Sequence, residues 1–356
     1  MKPTIFTLLA CLALFSCQPK QQGRTEPWST EQANQWYESI GWLTGVNYIV
    51  SDAVNSIEMF DKTSYNPELI DKELSLAESI GFNCIRVLVP YAVYEDDPDY
   101  FLTTFDNFLS ICKKHKITVM PTLFDDCHFG LDEVSAVGKQ PEPLIGWYAS
   151  YWTRSPGKEN AEDEAVHPEL EKYVKAFLNR FRDDNRIAVW DLYNEPLNCG
   201  VESWELVKKV FIWAREVNPS KPLTMCVWNE NEEYNKFALE NSDIITFHTY
   251  GDKDVMALWF ETLKKYNRPI LCTEWLNRPL NSVIEEIMPM LAEHNVGSFM
   301  WGLVNGKTQT HLTWGHRPEH LPYTGVWQHD LFHSNFEPYK EDEIELIKKL
   351  NQKGKQ

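Results

Sequence analysis

The sequence predicts an α/β protein built as a single (β/α)8 barrel, the TIM barrel. Three observations predict it. Eight short apolar runs alternate with longer amphipathic stretches. No Gly-rich phosphate turn follows an early strand, as an open doubly wound sheet would usually show. No linker, internal repeat or low-complexity segment divides the chain. The length of 356 residues allows two ordinary domains or one large barrel, and the alternation favours the barrel.

The apolar runs span 42–48, 84–89, 117–123, 187–193, 222–227, 244–248, 270–273 and 298–301. They are apolar on both faces and rich in Val, Ile and aromatic residues, which is the pattern of buried parallel strands. The stretch 68–80 carries Leu69, Ile70, Leu74, Ala77 and Ile80 at helical spacing and stops at Gly81. Similar spacing predicts helices over 105–116, 170–181, 204–217, 255–266, 283–294 and 341–350, and a shorter one over 232–239. Two connections are unusually long. Residues 124–169 follow the third run and carry Trp147, Tyr148, Tyr151 and Trp152; residues 302–339 follow the eighth and carry Trp314, Trp327 and several His. Both leave the carboxyl ends of strands, the face where barrel active sites form. Loops of this length are usually functional or disordered, and the aromatic content argues against disorder.

Composition narrows the class. The chain is 43% hydrophobic and 13% aromatic, which excludes a disordered tail, a collagen-like fibre and a small disulfide scaffold. A net charge of −18 repels phosphate backbones, so nucleic acid is not an expected partner. The 14 Trp suit a flat, weakly polar ligand, but they also suit a core, and composition does not choose.

The N-terminus reads as an export signal over residues 1–16. Lys2 is a short positive region, and the apolar run 5–15 is too short to span a bilayer. It ends in Leu14-Phe15-Ser16-Cys17, which resembles a bacterial lipobox, where the Cys becomes the lipidated first residue. Phe15 is bulkier than the residue usual at that step, and an ordinary cleaved signal would also fit. The expectation is a monomeric lipoprotein anchored to the membrane through Cys17, in the periplasm or on the cell surface. Residues 17–35 read as a flexible tether and 36–356 as the catalytic barrel. Cys84, Cys226 and Cys272 fall inside apolar runs and read as free buried thiols. Export permits disulfides, and Cys127 and Cys199, both just after predicted strands, are the candidates for a pair. No C-x-x-C exists, which argues against a zinc or redox site.

Two carboxylates stand out by position. The fourth run leads into Trp190-Asp191-Leu192-Tyr193-Asn194-Glu195-Pro196, and the seventh into Cys272-Thr273-Glu274-Trp275. Strands four and seven face each other across a barrel mouth, so both Glu can aim at one bond. Cleaving a glycosidic bond needs such a pair: one carboxyl protonated to serve the leaving oxygen, the other ionised to attack.

With these residues the sequence resembles clan A of the retaining glycoside hydrolases, most closely family 5 and its cellulase-like and mannanase-like members. Asn194-Glu195-Pro196 ending strand four and Thr273-Glu274 ending strand seven carry the likeness, over about residues 36–350. The resemblance implies that Glu195 is the acid/base and Glu274 the nucleophile. It implies that Arg86, an Arg inside an apolar strand, holds the nucleophile ionised, where a structural ion pair is the plainer reading. By the same resemblance Asn194 meets the sugar 2-hydroxyl, His248 and Tyr250 support the site with the Tyr bonded to the nucleophile, and Trp301 is a platform under the sugar. The plainer readings are a turn residue, a satisfied core His and barrel core. Trp275, next to Glu274, is a further candidate on the catalytic face. Many members of the family carry a His near the end of strand three, where this chain reads Asp125-Asp126-Cys127-His128. Asp125 and Asp126 are candidates to bind sugar hydroxyls or to cap the next helix.

The expected function is hydrolysis, with retention, of a β-linked glucan, mannan or xylan or its oligosaccharides, with no cofactor and no metal. A metal-dependent hydrolase is the rival enzyme class, but His311, His316, His320, His329 and His333 fit no helix-borne zinc spacing. The same barrel could also serve a non-catalytic glycan-binding lipoprotein or a transglycosylase. The long loops favour a short or exo-acting site.

Overall fold

A computed structural model describes residues 23–130 and 136–353. The strands are β1 (Thr44–Asn47), β2 (Cys84–Leu88), β3 (Thr118–Thr122), β4 (Trp190–Asp191), β5 (Leu223–Thr224), β6 (Cys226–Val227), β7 (Ile245–His248), β8 (Ile270–Trp275) and β9 (Gly297–Trp301). All pairings between them are parallel, in the order β5-β4-β3-β2-β1-β9-β8-β7-β6. The chain therefore forms the expected (β/α)8 barrel. Its fifth run is split at Met225: β5 pairs with β4 and β6 with β7, so one run closes the ring. Glu195 thus follows β4, and Glu274 lies on β8, the seventh run.

The helices fall where apolar spacing puts them, as in Pro67–Ser79, Trp204–Val217 and Glu341–Lys353. The helix Pro98–Lys114 begins earlier than the predicted 105–116, because Asp97 caps it and Pro98 starts it. Between helices and barrel lies an aromatic core that includes Phe60, Phe101, Phe105, Phe177 and Trp190, all fully buried.

The expected tether over 17–35 is corrected where it is described. Arg24 pairs with Asp243 at 2.5 Å, and the Trp28 backbone N–H donates to the same carboxylate. Thr30–Ile40 is a helix, capped by Ser29. Ala33 and Tyr37 join Leu43, Met120, Val189, Leu271 and Phe299 at the amino ends of the strands, so this helix plugs the bottom of the barrel. Its apolar contacts are spread thinly among polar residues, which hid them from the periodicity. The signal segment and Cys17 lie outside the described residues. Among the described residues, no helix is long and apolar enough to cross a membrane. Cys127 and Cys199 are not a disulfide; each is a free thiol with its own hydrogen bonds.

Candidate active site

A cavity of about 360 Å³ opens at the carboxyl ends of the strands. Glu195 and Glu274 both line it, with Asn194, His248, Tyr250 and Trp301 beside them. Parallel strands place the side chains at their carboxyl ends around one mouth, so residues far apart in sequence converge. Oxygens of Glu195 and Glu274 and a ring nitrogen of His248 all lie within 4.8 Å of one another.

The surroundings of the two carboxylates differ. Glu274 is buried at 4% exposure. Arg86 Nη1 donates to its Oε1 at 2.7 Å, and the Tyr250 hydroxyl donates to its Oε2 at 2.6 Å. Burial pushes its pKa up, but the charges of His248 and Arg86, with hydrogen bonds from Tyr250 and Trp301, hold it below the ordinary carboxyl value. Glu195 is more open to the cavity. His248 Nδ1 meets its Oε1 at 2.8 Å, and Asn198 Nδ2 and Cys127 Sγ donate to its Oε2 at 2.8 and 3.2 Å. Its backbone has φ 40°, a left-handed conformation that costs a non-Gly residue energy and is common at functional turns. Burial disfavours charge on His248, yet Cys226 and the Glu274 and Glu195 carboxylates hold its pKa well above the usual His value.

Arg86 is the structural hub. It is 1% exposed, and its guanidinium reaches Asp191, Asn47, Glu274 and Asn194 at 2.6–2.8 Å. Sequence reasoning missed Asp191 and Asn47. The signal was present for Asp191: a carboxylate inside an apolar strand needs a buried cation, and Arg86 was the cation in need of a carboxylate.

Three candidates stand elsewhere. Asp125 and Asp126 are each 1% exposed and do not line the cavity. Asp125 accepts from Asn194 Nδ2, Trp152 Nε1 and the Cys127 N–H. Asp126 accepts from Tyr193, Ser203 and the Leu197 N–H. They brace the loops behind the cavity and neither bind a sugar from there nor cap a helix. Burial, partly offset by those donors, raises their pKa to about 6 and about 7. Trp275 is fully buried, with its indole N–H on Ser298 Oγ; strand alternation turns it away from the mouth that Glu274 faces.

Other aromatics fill the place. Trp152, Trp228, Trp259, Trp301 and Trp314 line the cavity, with Phe129 and Tyr148. Trp147 instead lies under Arg317, and Trp327 stacks on Tyr339. Trp228 and Trp259 carried no sequence signal, because one ends a short strand and the other looks like ordinary helix packing. The loop His residues do structural work: His316 Nδ1 meets the Gly146 carbonyl, and His329 is buried among Tyr148, Tyr250, Trp301 and Trp314. Burial lowers the His329 pKa to about 3, so it is neutral.

Solved structures share this architecture. GH5_18 from Streptomyces cattleya, in complex with GlcNAc, matches with a TM-score of 0.61 at 9% identity, over 88% of this chain and 80% of that one. An exo-β-1,4-mannosidase from Opitutaceae bacterium strain TAV5 matches with a TM-score of 0.59 at 17% identity, over 88% of this chain and 60% of that longer one. An endo-β-1,4-mannanase from Thermotoga petrophila matches with a TM-score of 0.57 at 14% identity, over 89% and 77%. At these identities the likeness speaks for the fold. No curated protein matches by sequence. The family model of cellulase, glycosyl hydrolase family 5, matches residues 49–307, a span from just after β1 to just beyond β9 that includes both Glu. On that match the chain belongs to the cellulase family, glycosyl hydrolase family 5, and is a glycosidase.

Proposed function

We propose that the protein hydrolyses a neutral β-linked glycan with retention of configuration, working from a chain end. One observation carries the mechanism: oxygens of Glu195 and Glu274 lie within 4.8 Å in a single cavity. Carboxyl groups roughly 5–5.5 Å apart suit direct attack, whereas ~6.5–9.5 Å leaves room for an intervening water. Glu274, held ionised by Arg86 and Tyr250, attacks the anomeric carbon. Glu195 gives its proton to the leaving oxygen. A glycosyl ester on Glu274 results, and Glu195, now a carboxylate, takes a proton from the water that breaks it. His248 bonds to Glu195 and holds its carboxyl in place.

The cavity lining supports a neutral sugar. Among the described residues, the lining beyond Glu195, Glu274 and His248 is aromatic, amide, thiol or hydroxyl, with no Lys or Arg to meet a uronate. Indole faces suit the apolar C–H faces of sugar rings. The loops support chain-end action. Those after β3 and β9 are joined: Gln309 bonds Gly146, Leu144 and Trp147, Ala149 N–H donates to Thr308, and Arg317 lies 4.3 Å from the Trp147 ring. The loop after β1 ties in through Asn55 to Gln140 and Tyr151. Together they build a wall at the mouth, and Trp228 and Trp259 line the same cavity. Glucan, mannan and xylan backbones are the candidates, and the mannosidase and mannanase among the similar folds give mannan first place in a substrate panel.

Glu274→Ala should reduce hydrolysis of aryl β-glycosides by at least ~10³-fold, since both the covalent step and its stabilising charge are lost. Full retained activity would overturn the assignment. NMR of the first-formed product should show the β-anomer, and oligosaccharides should shorten one unit at a time. A spread of mid-length products contradicts chain-end action. We also propose export as a lipoprotein, supported by the lipobox at Cys17. Labelled fatty acid should enter the wild-type protein and not Cys17→Ser; equal labelling of both rejects it.

A further inference from the structure

The thiol of Cys127 sits inside the catalytic network, where neither the fold nor the reaction requires a sulfur. Cys127 lines the cavity and is 6% exposed. Asn194 Nδ2 and Asn198 Nδ2 donate to its Sγ at 3.3 and 3.4 Å. Two amides thus occupy the acceptor sides of the sulfur, and its one proton is left to point at Glu195 Oε2, 3.2 Å away. Burial, with Glu195 next, pushes the thiol pKa well above its ordinary value, so this proton stays on sulfur.

The neighbours give the contact a direction. Asn194 is itself held at both ends, by Arg86 Nη2 on its Oδ1 and by Asp125 on its Nδ2. Arg86 in turn holds Glu274. A continuous hydrogen-bonded path therefore runs from Glu274 through Arg86, Asn194 and Cys127 to Glu195. The thiol is its final link.

We infer that Cys127 is a positioning residue for the acid/base, a neutral weak donor that, beside Asn198 on the same oxygen, aims the Glu195 carboxyl and favours its ionised form only slightly. The inference rests on Glu195 being the acid/base. A thiol suits the task because its hydrogen bond is weaker than that of a hydroxyl or a cation. A hydroxyl or a cation in its place would favour the carboxylate more, so the thiol adds an aiming contact while adding little to the hold that Asn198 and His248 already have on that carboxyl.

The test compares aryl β-glycosides with a poor leaving group, phenol, and a good one, dinitrophenol, which leaves with little help from an acid. Cys127→Ala should cost roughly tenfold in kcat/KM on the phenyl glycoside and less than about twofold on the dinitrophenyl glycoside, because only the former needs a well-aimed proton. Its basic limb should move to higher pH, since a donor to the carboxylate is gone. Cys127→Ser, which keeps a donor, should fall between wild type and Cys127→Ala in kcat/KM on the phenyl glycoside, and its basic limb should move to lower pH, because a hydroxyl is the stronger donor. Equal losses on both substrates, or an unmoved basic limb, overturn the inference and leave Cys127 a packing residue. Glu195→Gln is the control. It should lose much more on the phenyl than on the dinitrophenyl glycoside, and absence of that split rejects Glu195 as the acid/base, independently of Cys127.

Discussion

A charged side chain inside the barrel is stable only when its partners are inside too. Arg86 shows this, since each of its three guanidinium nitrogens meets a fixed partner. Tyr250 applies the same rule to Glu274, the proposed nucleophile. Its hydroxyl donates to Glu274 Oε2 and is among the contacts that keep that carboxyl ionised below the ordinary value. Tyr250→Phe removes a donor to the charged form, so the Glu274 pKa rises. The acidic limb of kcat/KM should then move to higher pH, with the variant losing activity first at low pH. A pH–rate profile decides this, and an acidic limb unchanged in Tyr250→Phe contradicts the role. At this scale the sequence was informative for Glu195, Glu274 and Arg86, where a charge stood at a strand end or inside an apolar run. It was silent on Trp275 against Trp228: both adjoin strand ends, and only the facing of each strand separates core from cavity.

Among the elements, the strands set positions and the loops set shape. β1 approaches β2 so closely that a Cβ on Gly45 would stand 1.6 Å from the Cys84 carbonyl oxygen. Gly45→Ala should therefore lower stability by ~2 kcal/mol or more through displaced backbone, measurable by urea unfolding. Unchanged stability would show that the strand gives way freely. The wall between the two long loops hangs on Gln309, 7% exposed, whose amide bonds three backbone groups of 144–147. Gln309→Ala should cost about 1–3 kcal/mol and broaden the product lengths as the wall loosens. Product chromatography identical to wild type would separate the wall from chain-end action. Helix lengths were readable from apolar spacing, but this bridge was not, because it joins backbone groups on loops without periodicity.

Over the whole molecule, buried titratable groups tie stability to pH. Glu73, fully buried in the helix Pro67–Ser79, accepts from the Tyr48 hydroxyl and the Ser51 N–H. Burial outweighs these donors and raises its pKa from 4.5 to about 7. Between those values the folded state holds the extra proton, so this group's stabilisation is complete below the unfolded pKa and is lost as pH rises through about 7. Glu73→Gln does not titrate and keeps the Ser51 N–H on its carbonyl oxygen, while its amide N–H donates to the Tyr48 hydroxyl, as the protonated carboxyl would. Its Tm should fall less than that of wild type between about pH 5 and pH 8. Equal falls in both proteins would assign the pH dependence to other groups. Glu274 works in the opposite sense: its lowered pKa gives stability that is present above the unfolded value and lost in acid.

The sequence by itself determined the barrel and its two Glu. Eight short apolar runs alternating with helical spacing read as parallel strands under a helical cover, and a carboxylate just past such a strand stands at the carboxyl face. Tertiary structure alone decided the rest. It split the fifth run to close the ring, and it folded residues 30–40 back as a plug under the barrel. It took Asp125 and Asp126 out of the cavity and brought Trp228, Trp259 and Cys127 into it. Those outcomes depend on contacts between residues tens to hundreds of positions apart, and local pattern carries no record of which partners the closed ring brings within hydrogen-bond reach.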